Sequence, residues 1–488
     1  MSDYNSKDLV AATPESVGVP SAAIGKFIRS LEEHRLCMHS VLIFRRGKLI
    51  AEGYAPPFHA DRRHRMYSIS KSFTALGIGL LVGEGKLSLN DKIVDHYPEY
   101  VPGPVHPFIA EATVRDMLTM RDCHDSTMDG LADWFSTPPT HPAGTVFFYN
   151  TTCTNLLCGI IEKITGVTLM EYLYPRLLDP IGFTPGCVCI KGSWGYSWSG
   201  SGILCTPRDL ARIALVCMNG GSWNGKQLVD AAFIQVATSR QTDNTIANSD
   251  LEHQNGYGYQ IWRMRHNGFA FLGMGSQLAI ALPDRDLLLV TTADTQDVAG
   301  ASGYIINAFY ETVLAALSEQ PLPEDAAAQS ELSAVMNGLK LSVAPGAADL
   351  PIMPKVAGKI YRLFDSGCGW RDVRFEFGDG GGLMSYTNQR GAKMIPFGFG
   401  EPVEFAFPET HYPGFELRKP SGKGYKSCAS AGWVDENTLS ILCYIIDDYC
   451  GSLRVNAVFD GDRVTLYLKK TAEFFLDDYQ GWSYGYCK

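Results

Sequence analysis

Nowhere in the 488 residues does an apolar run approach the roughly 18 to 20 residues that a membrane-crossing helix needs. Charged residues make up only 19%, Lys and Arg form no block, and the formal net charge is −10. That balance argues against nucleic acid or an anionic membrane as the main partner. The start, MSDYNSKDLV, has no basic stretch, apolar stretch or cleavage site, so a cytoplasmic protein is expected. No G-x-S-x-G stands at a strand-to-helix turn, which leaves an α/β-hydrolase elbow unsupported. Neither G-x-G-x-x-G, a phosphate loop nor H-E-x-x-H occurs. The thirteen cysteines are odd in number and scattered from Cys37 to Cys487, a pattern of free thiols rather than a disulfide framework. Cys187 and Cys189 form the one tight pair, with nothing nearby to complete four ligands. No metal and no cofactor are expected.

Hydrophobic residues, at 45%, are ample for a large core, and the length suggests two or three domains. The composition shifts between Ser318 and Pro354, where Ala, Pro and acidic residues dominate around a short helical patch. The reading is a first domain over 1–317, a linker over 318–354 and a second domain over 355–488.

Before the linker, strand and helix signals mix. Ser40 to Pro56 reads as two strands around an Arg-Gly turn. Lys71 to Gly85 reads as a buried helix ending at glycines, and Leu156 to Thr165 as a helix closed by Gly166. Thr206-Pro207-Arg208-Asp209 opens another helix, and Asn224-Gly225 makes a tight turn. The runs Leu278 to Pro283 and Leu287 to Asp294 read as strands. Strands at both ends with helices between predict an α/β (α+β) fold, one antiparallel sheet faced by helices. After the linker, short alternating strands separated by Gly, Asp or Pro predict an all-β barrel or sandwich. Its aromatic tail, Tyr479, Trp482, Tyr484 and Tyr486, is expected to pack.

The sharpest chemical feature is Ser68-Ile69-Ser70-Lys71 at the start of the apolar helix. Residues three apart share a helix face, so Lys71 can reach the Ser68 hydroxyl. A serine is a poor nucleophile until a base takes its proton. Burial and the positive end of a helix would disfavour the charged form of Lys71, leaving an amine able to act as that base.

The flanking sequence, MYSISKSFTALGIGLLVGEGKLSLND, closely resembles the serine β-lactamase and penicillin-binding-protein superfamily, nearest its esterase and amidase branch. The resemblance continues through Ala112 to His124, Pro142 to Gly166 and Ser199 to Val229, in the family's order, and covers most of the first 300 residues. It implies a β-lactamase-like domain with a helical subdomain, and a barrel or lipocalin-like appendage after it. It implies that Ser68 is the nucleophile and Tyr149 the catalytic tyrosine. A phenol near an ammonium ionises more easily, so Tyr149 could take the Ser68 proton or deliver one to the leaving group. Which of Lys71 and Tyr149 is the base stays open. Where the family often has Tyr-x-Asn, this chain has Tyr149-Asn150-Thr151, so Asn150 or Thr151 would substitute in holding substrate.

The family's third element, a strand carrying Lys or His, then Thr or Ser, then Gly, has no clean copy here. One placement is Leu272 to Gln277, similar to the glycine-rich variant of esterase and 6-aminohexanoate-dimer-hydrolase-like branches; the other is His266-Asn267-Gly268. By the first, the backbone N–H groups of Ser68 and Met274 form the oxyanion hole, with Gly273 and Gly275 allowing substrate to approach. Tyr257 and Trp262 would line the pocket, or simply pack. The missing lysine argues against β-lactamase or D,D-peptidase chemistry as the main activity. The expected function is a serine hydrolase of a small or peptide-like ester or amide. A non-catalytic scaffold and a homo-oligomer stay open.

Overall fold

The computed structural model describes residues 9–487, except 129, 248–249, 365–367, 410–414, 417–423, 448–449 and 472–478. The chain divides into two compact units, Met1–Lys340 and Leu341–Lys488.

In the first unit an antiparallel sheet runs in the spatial order Lys48–Tyr54, Met38–Arg45, Leu287–Ala293, Gln277–Leu282, Phe269–Gly273, Trp262–Arg263. Ile43 sits between Ala51 and Leu289, and Leu289 faces Ile280 on its other side. The four central strands are buried along their whole length. That explains why they read as continuous apolar runs rather than alternating ones: both faces are covered. Helix Pro207–Met218 packs on the sheet, and Ser21–Glu33 packs with Ala301–Thr312 through Phe27 and Phe309, 5.5 Å apart edge to face.

The helical part is built around Ser70–Gly83, whose residues 70–81 are all buried. A helix apolar all round belongs in an interior. Helix Thr151–Thr165 lies against it at Gly77, where a Cβ would come within 2.8 Å of Ile161 Cδ1. Its local signals match the sequence expectation: Gly166 closes it at φ 73°. Thr206 and Asp209 form a capping box at the start of Pro207–Met218.

The segment expected to be a linker is partly helix. Ala326–Asn337 is capped by the Asp325 carboxylate and belongs to the first unit, beside Ser21–Glu33 and Lys48–Tyr54. Leu332 and Met336, four apart on one face, are buried, and Arg29 bonds Glu331 at 2.7 Å. Its alanines are strong helix formers; the Pro-rich flanks hid this from composition alone.

Among the described residues the second unit is a closed β-barrel of nine strands, with Val403–Phe407 paired to Tyr425–Trp433 outside the ring. From Gly391–Phe399 the order is Gly381–Asn388, Asp372–Gly378, Ile360–Leu363, Gly481–Cys487, Arg463–Thr471, Cys450–Asp460, Thr438–Ile446, Tyr425–Trp433. All neighbours are antiparallel until the parallel pairs Gly398↔Ser430 and Phe399↔Ala431 close the ring. Closure leaves the ring strands themselves without a free edge. Val464, Leu466 and Leu468 alternate inward. Of the aromatic tail only Tyr479, ahead of strand Gly481–Cys487, is buried; Trp482, Tyr484 and Tyr486, two apart along that strand, share its exposed face.

Candidate active site

Ser68 lies in the short turn Tyr67–Ile69, which runs directly into helix Ser70–Gly83. Tyr67, just before it, has φ 48°, a left-handed conformation that costs a non-glycine residue energy and recurs where function requires it. The three-residue spacing does what helix geometry predicts: Lys71 Nζ lies 3.0 Å from Ser68 Oγ. Lys71 is 1% exposed and also donates to the carbonyl of Gly200 at 2.6 Å. Ser68 is half-buried.

Tyr149 precedes helix Thr151–Thr165 and completes the group. Its ring centroid is 5.1 Å from Lys71 Nζ, and its phenol is hydrogen-bonded with the side chains of Ser68 and Trp262. Burial pushes that phenol up to about 12, while the two hydrogen bonds pull the other way. The sequence argument expected easier ionisation beside a cation; desolvation wins instead. Tyr149 is therefore a proton-bearing phenol at neutral pH.

Four residues expected to touch substrate or line its pocket have other contacts. Asn150 is buried and caps helix Thr151–Thr165 through Oδ1, which accepts from Thr152 N at 2.9 Å. Its Nδ2 donates to Asp122 Oδ2 and to the Ser126 carbonyl, both at 3.1 Å, so its amide turns away from Ser68. Tyr257, 1% exposed, and Trp262 pack against the Tyr149 ring at 6.2 and 5.2 Å and hold it in place. Thr151, half-buried, lies against Gly200, where a Cβ would collide with its methyl group.

The third element resolves by position. Gly273 ends strand Phe269–Gly273 against the turn that carries Ser68: a Cβ there would collide with the Met66 carbonyl and sit 3.3 Å from Ile69 Cγ1. Met274 follows, 39% exposed, then Gly275 at φ 78° and Ser276 at φ 66°. Gln277 pins this turn, its Nε2 donating to the carbonyls of Met274 at 2.8 Å and Ala293 at 2.7 Å. His266 and Asn267 form the turn at the opposite end of the strand, roughly 16 Å away by strand rise, and His266 packs edge-on to Tyr310 at 4.8 Å. Gly273, not His266 to Gly268, therefore lies against the turn that carries Ser68.

Two contributors were missed. Gly200, the acceptor for Lys71, lies in Ser199 to Val229, a stretch already recognised as family-like, but nothing local marks its carbonyl. Gln277 was seen only as the end of a motif; its bonds to Met274 and Ala293 need the sheet to be assembled.

The family model for beta-lactamases matches residues 8–310, more than half of the chain. The chain belongs to the beta-lactamase family. It is 26% identical over 249 residues to the 6-aminohexanoate-dimer hydrolase of Paenarthrobacter ureafaciens, spanning 46% of this chain and 63% of that protein's length. Among solved structures, a Bacillus anthracis protein described as a 6-aminohexanoate-dimer hydrolase superimposes with TM-score 0.51 at 20% identity, over 66% of this chain and 90% of its own. A penicillin-binding-protein homologue of Caulobacter crescentus gives TM-score 0.51 at 17% identity, over 63% and 99%. At these identities the structural likeness is one of fold.

Proposed function

We propose that this protein is a serine hydrolase that cleaves an ester or amide bond through an acyl-enzyme on Ser68. One observation carries the reading: Lys71 Nζ lies 3.0 Å from Ser68 Oγ while the Tyr149 phenol bonds the same serine. A neutral Lys71 amine can keep an N–H on the Gly200 carbonyl and still accept the Ser68 proton. Tyr149, holding its proton at neutral pH, then passes one to the departing amine or alcohol. The N–H groups of Ser68 and Met274 hold the oxyanion; one such donor is worth about 3 kcal/mol. Water afterwards releases the acyl group. The likeness to a 6-aminohexanoate-dimer hydrolase supports an amide as one substrate class. The Gly273 to Gly275 turn carries no lysine to bind a substrate carboxylate, which speaks against β-lactam or D,D-peptide substrates.

The test is intact mass after exposure to a fluorophosphonate. We expect one adduct on the wild type and none on Ser68→Ala, and slow or absent nitrocefin turnover. A folded wild type without adduct would favour a non-catalytic scaffold; efficient nitrocefin turnover would favour the β-lactamase reading.

A further inference from the structure

We propose that Arg65 is a positioning residue that locks the Ser68 turn to the Gly200 carbonyl; the proposal rests on the hydrolase reading above. Arg65 is wholly buried, in the short strand His64–Arg65 that pairs with Ile203–Cys205. Its guanidinium carbon lies 4.6 Å from the ring centroid of Tyr67 and 4.4 Å from that of Trp198. Beside these ring contacts, Nε donates to the Ser201 carbonyl and Nη2 to the Ser201 hydroxyl, both at 3.1 Å. One flat cation thus grips two segments that are remote in sequence.

Each grip ends one residue from a reacting group. Tyr67 precedes Ser68 and holds φ 48°, so the Ser68 N–H and Oγ stay aimed only while the Tyr67 ring is held. Ser201 follows Gly200, whose carbonyl receives Lys71 Nζ. Gly200 N also donates to Asn155 Oδ1 at 3.0 Å, which fixes the other side of that carbonyl. The backbone adds Met66 N to the Ile203 carbonyl at 2.9 Å, so both segments are already neighbours. What Arg65 supplies is angular register between nucleophile and base. A lysine cannot replace it, because stacking on two rings while donating twice in one plane needs a guanidinium.

The experiment compares wild type, Arg65→Lys and Arg65→Met by the second-order rate of fluorophosphonate labelling, by kcat and KM on an activated ester, and by Tm. We expect labelling and kcat to fall about 10²-fold, as for a reacting group displaced by about 1 Å, with KM nearly unchanged and no recovery in Arg65→Lys. A role in stability alone would lower Tm and leave labelling by the folded fraction intact. If the Arg65 variants fail to fold, Trp198→Leu and Ser201→Ala each remove one grip and should slow labelling in the same direction. Wild-type labelling by folded Arg65 or Trp198 variants, or a raised KM with kcat unchanged, would overturn the inference. A wild type that no fluorophosphonate labels would instead sink the hydrolase reading beneath it.

Discussion

Replacing Gly273 by alanine adds one methyl group where there is no room for it. The new Cβ would run into the Met66 carbonyl and lie 3.0 Å from Gln277 Cβ. Neither neighbour is the free end of a flexible side chain, so backbone must move. On one side it is the turn Tyr67–Ile69 carrying Ser68; on the other it is the strand end carrying Met274. Overpacking of this kind costs about 1 to 3 kcal/mol of stability, which a fold of ordinary stability survives. Chemistry should lose more: a displacement near 1 Å between nucleophile and oxyanion donors is worth about 10²-fold in rate, close to 2.7 kcal/mol of activation free energy. Gly268→Ala is the matched control. It lies at the far end of the same stretch, where a Cβ would come within 2.8 Å of the Ala281 carbonyl and of Leu282 Cδ2. The two variants should lose similar Tm, while only Gly273→Ala should slow fluorophosphonate labelling. Equal labelling by both would refute the assignment of Gly273 and Met274 to the site.

Two further outcomes concern Asn150 and Asp294. Asn150→Ala removes a helix cap and leaves Asp122 without one of its donors, so urea unfolding should report a loss of roughly 2 to 4 kcal/mol; a loss below about 0.5 kcal/mol would mean the amide does not cap. Asp294 is 5% exposed, its Oδ2 has no hydrogen-bond partner, and burial raises its carboxyl from 3.8 to about 6. A raised acid stabilises the fold while protonated and loses that contribution as pH rises through its folded value. Asp294→Asn should therefore be more stable than wild type at pH 8 by up to about 3 kcal/mol, with the gap shrinking to about half of that at pH 5 and closing only below about pH 4. A gap that is the same at both pH values would show that the carboxyl does not titrate there.

The legible part of this protein is the local part. Ser68 and Lys71 could be paired because three residues on a helix fix a direction, and the structure needs nothing else to bring them within 3.0 Å. Gly166, the Thr206 cap and the Asn224-Gly225 turn were readable for the same reason: each is a backbone demand met by one residue type. Asn150 shows where that logic stops. It adjoins Tyr149 in sequence, yet its amide is spent on Asp122, 28 residues earlier, and on the helix it caps. The ionisation of Tyr149 was misjudged because a neighbouring cation is visible in a motif and desolvation is not; Trp262 and Tyr257 supply the enclosure. The acceptor that seats Lys71 is a main-chain carbonyl 129 residues away, with no side chain to announce it. Motif spacing therefore finds the side chains that meet at Ser68, while the register between them is set by long-range contacts at backbone atoms. Variants at Gly200, Gly273 and Arg65 should accordingly slow labelling, although no motif names these residues.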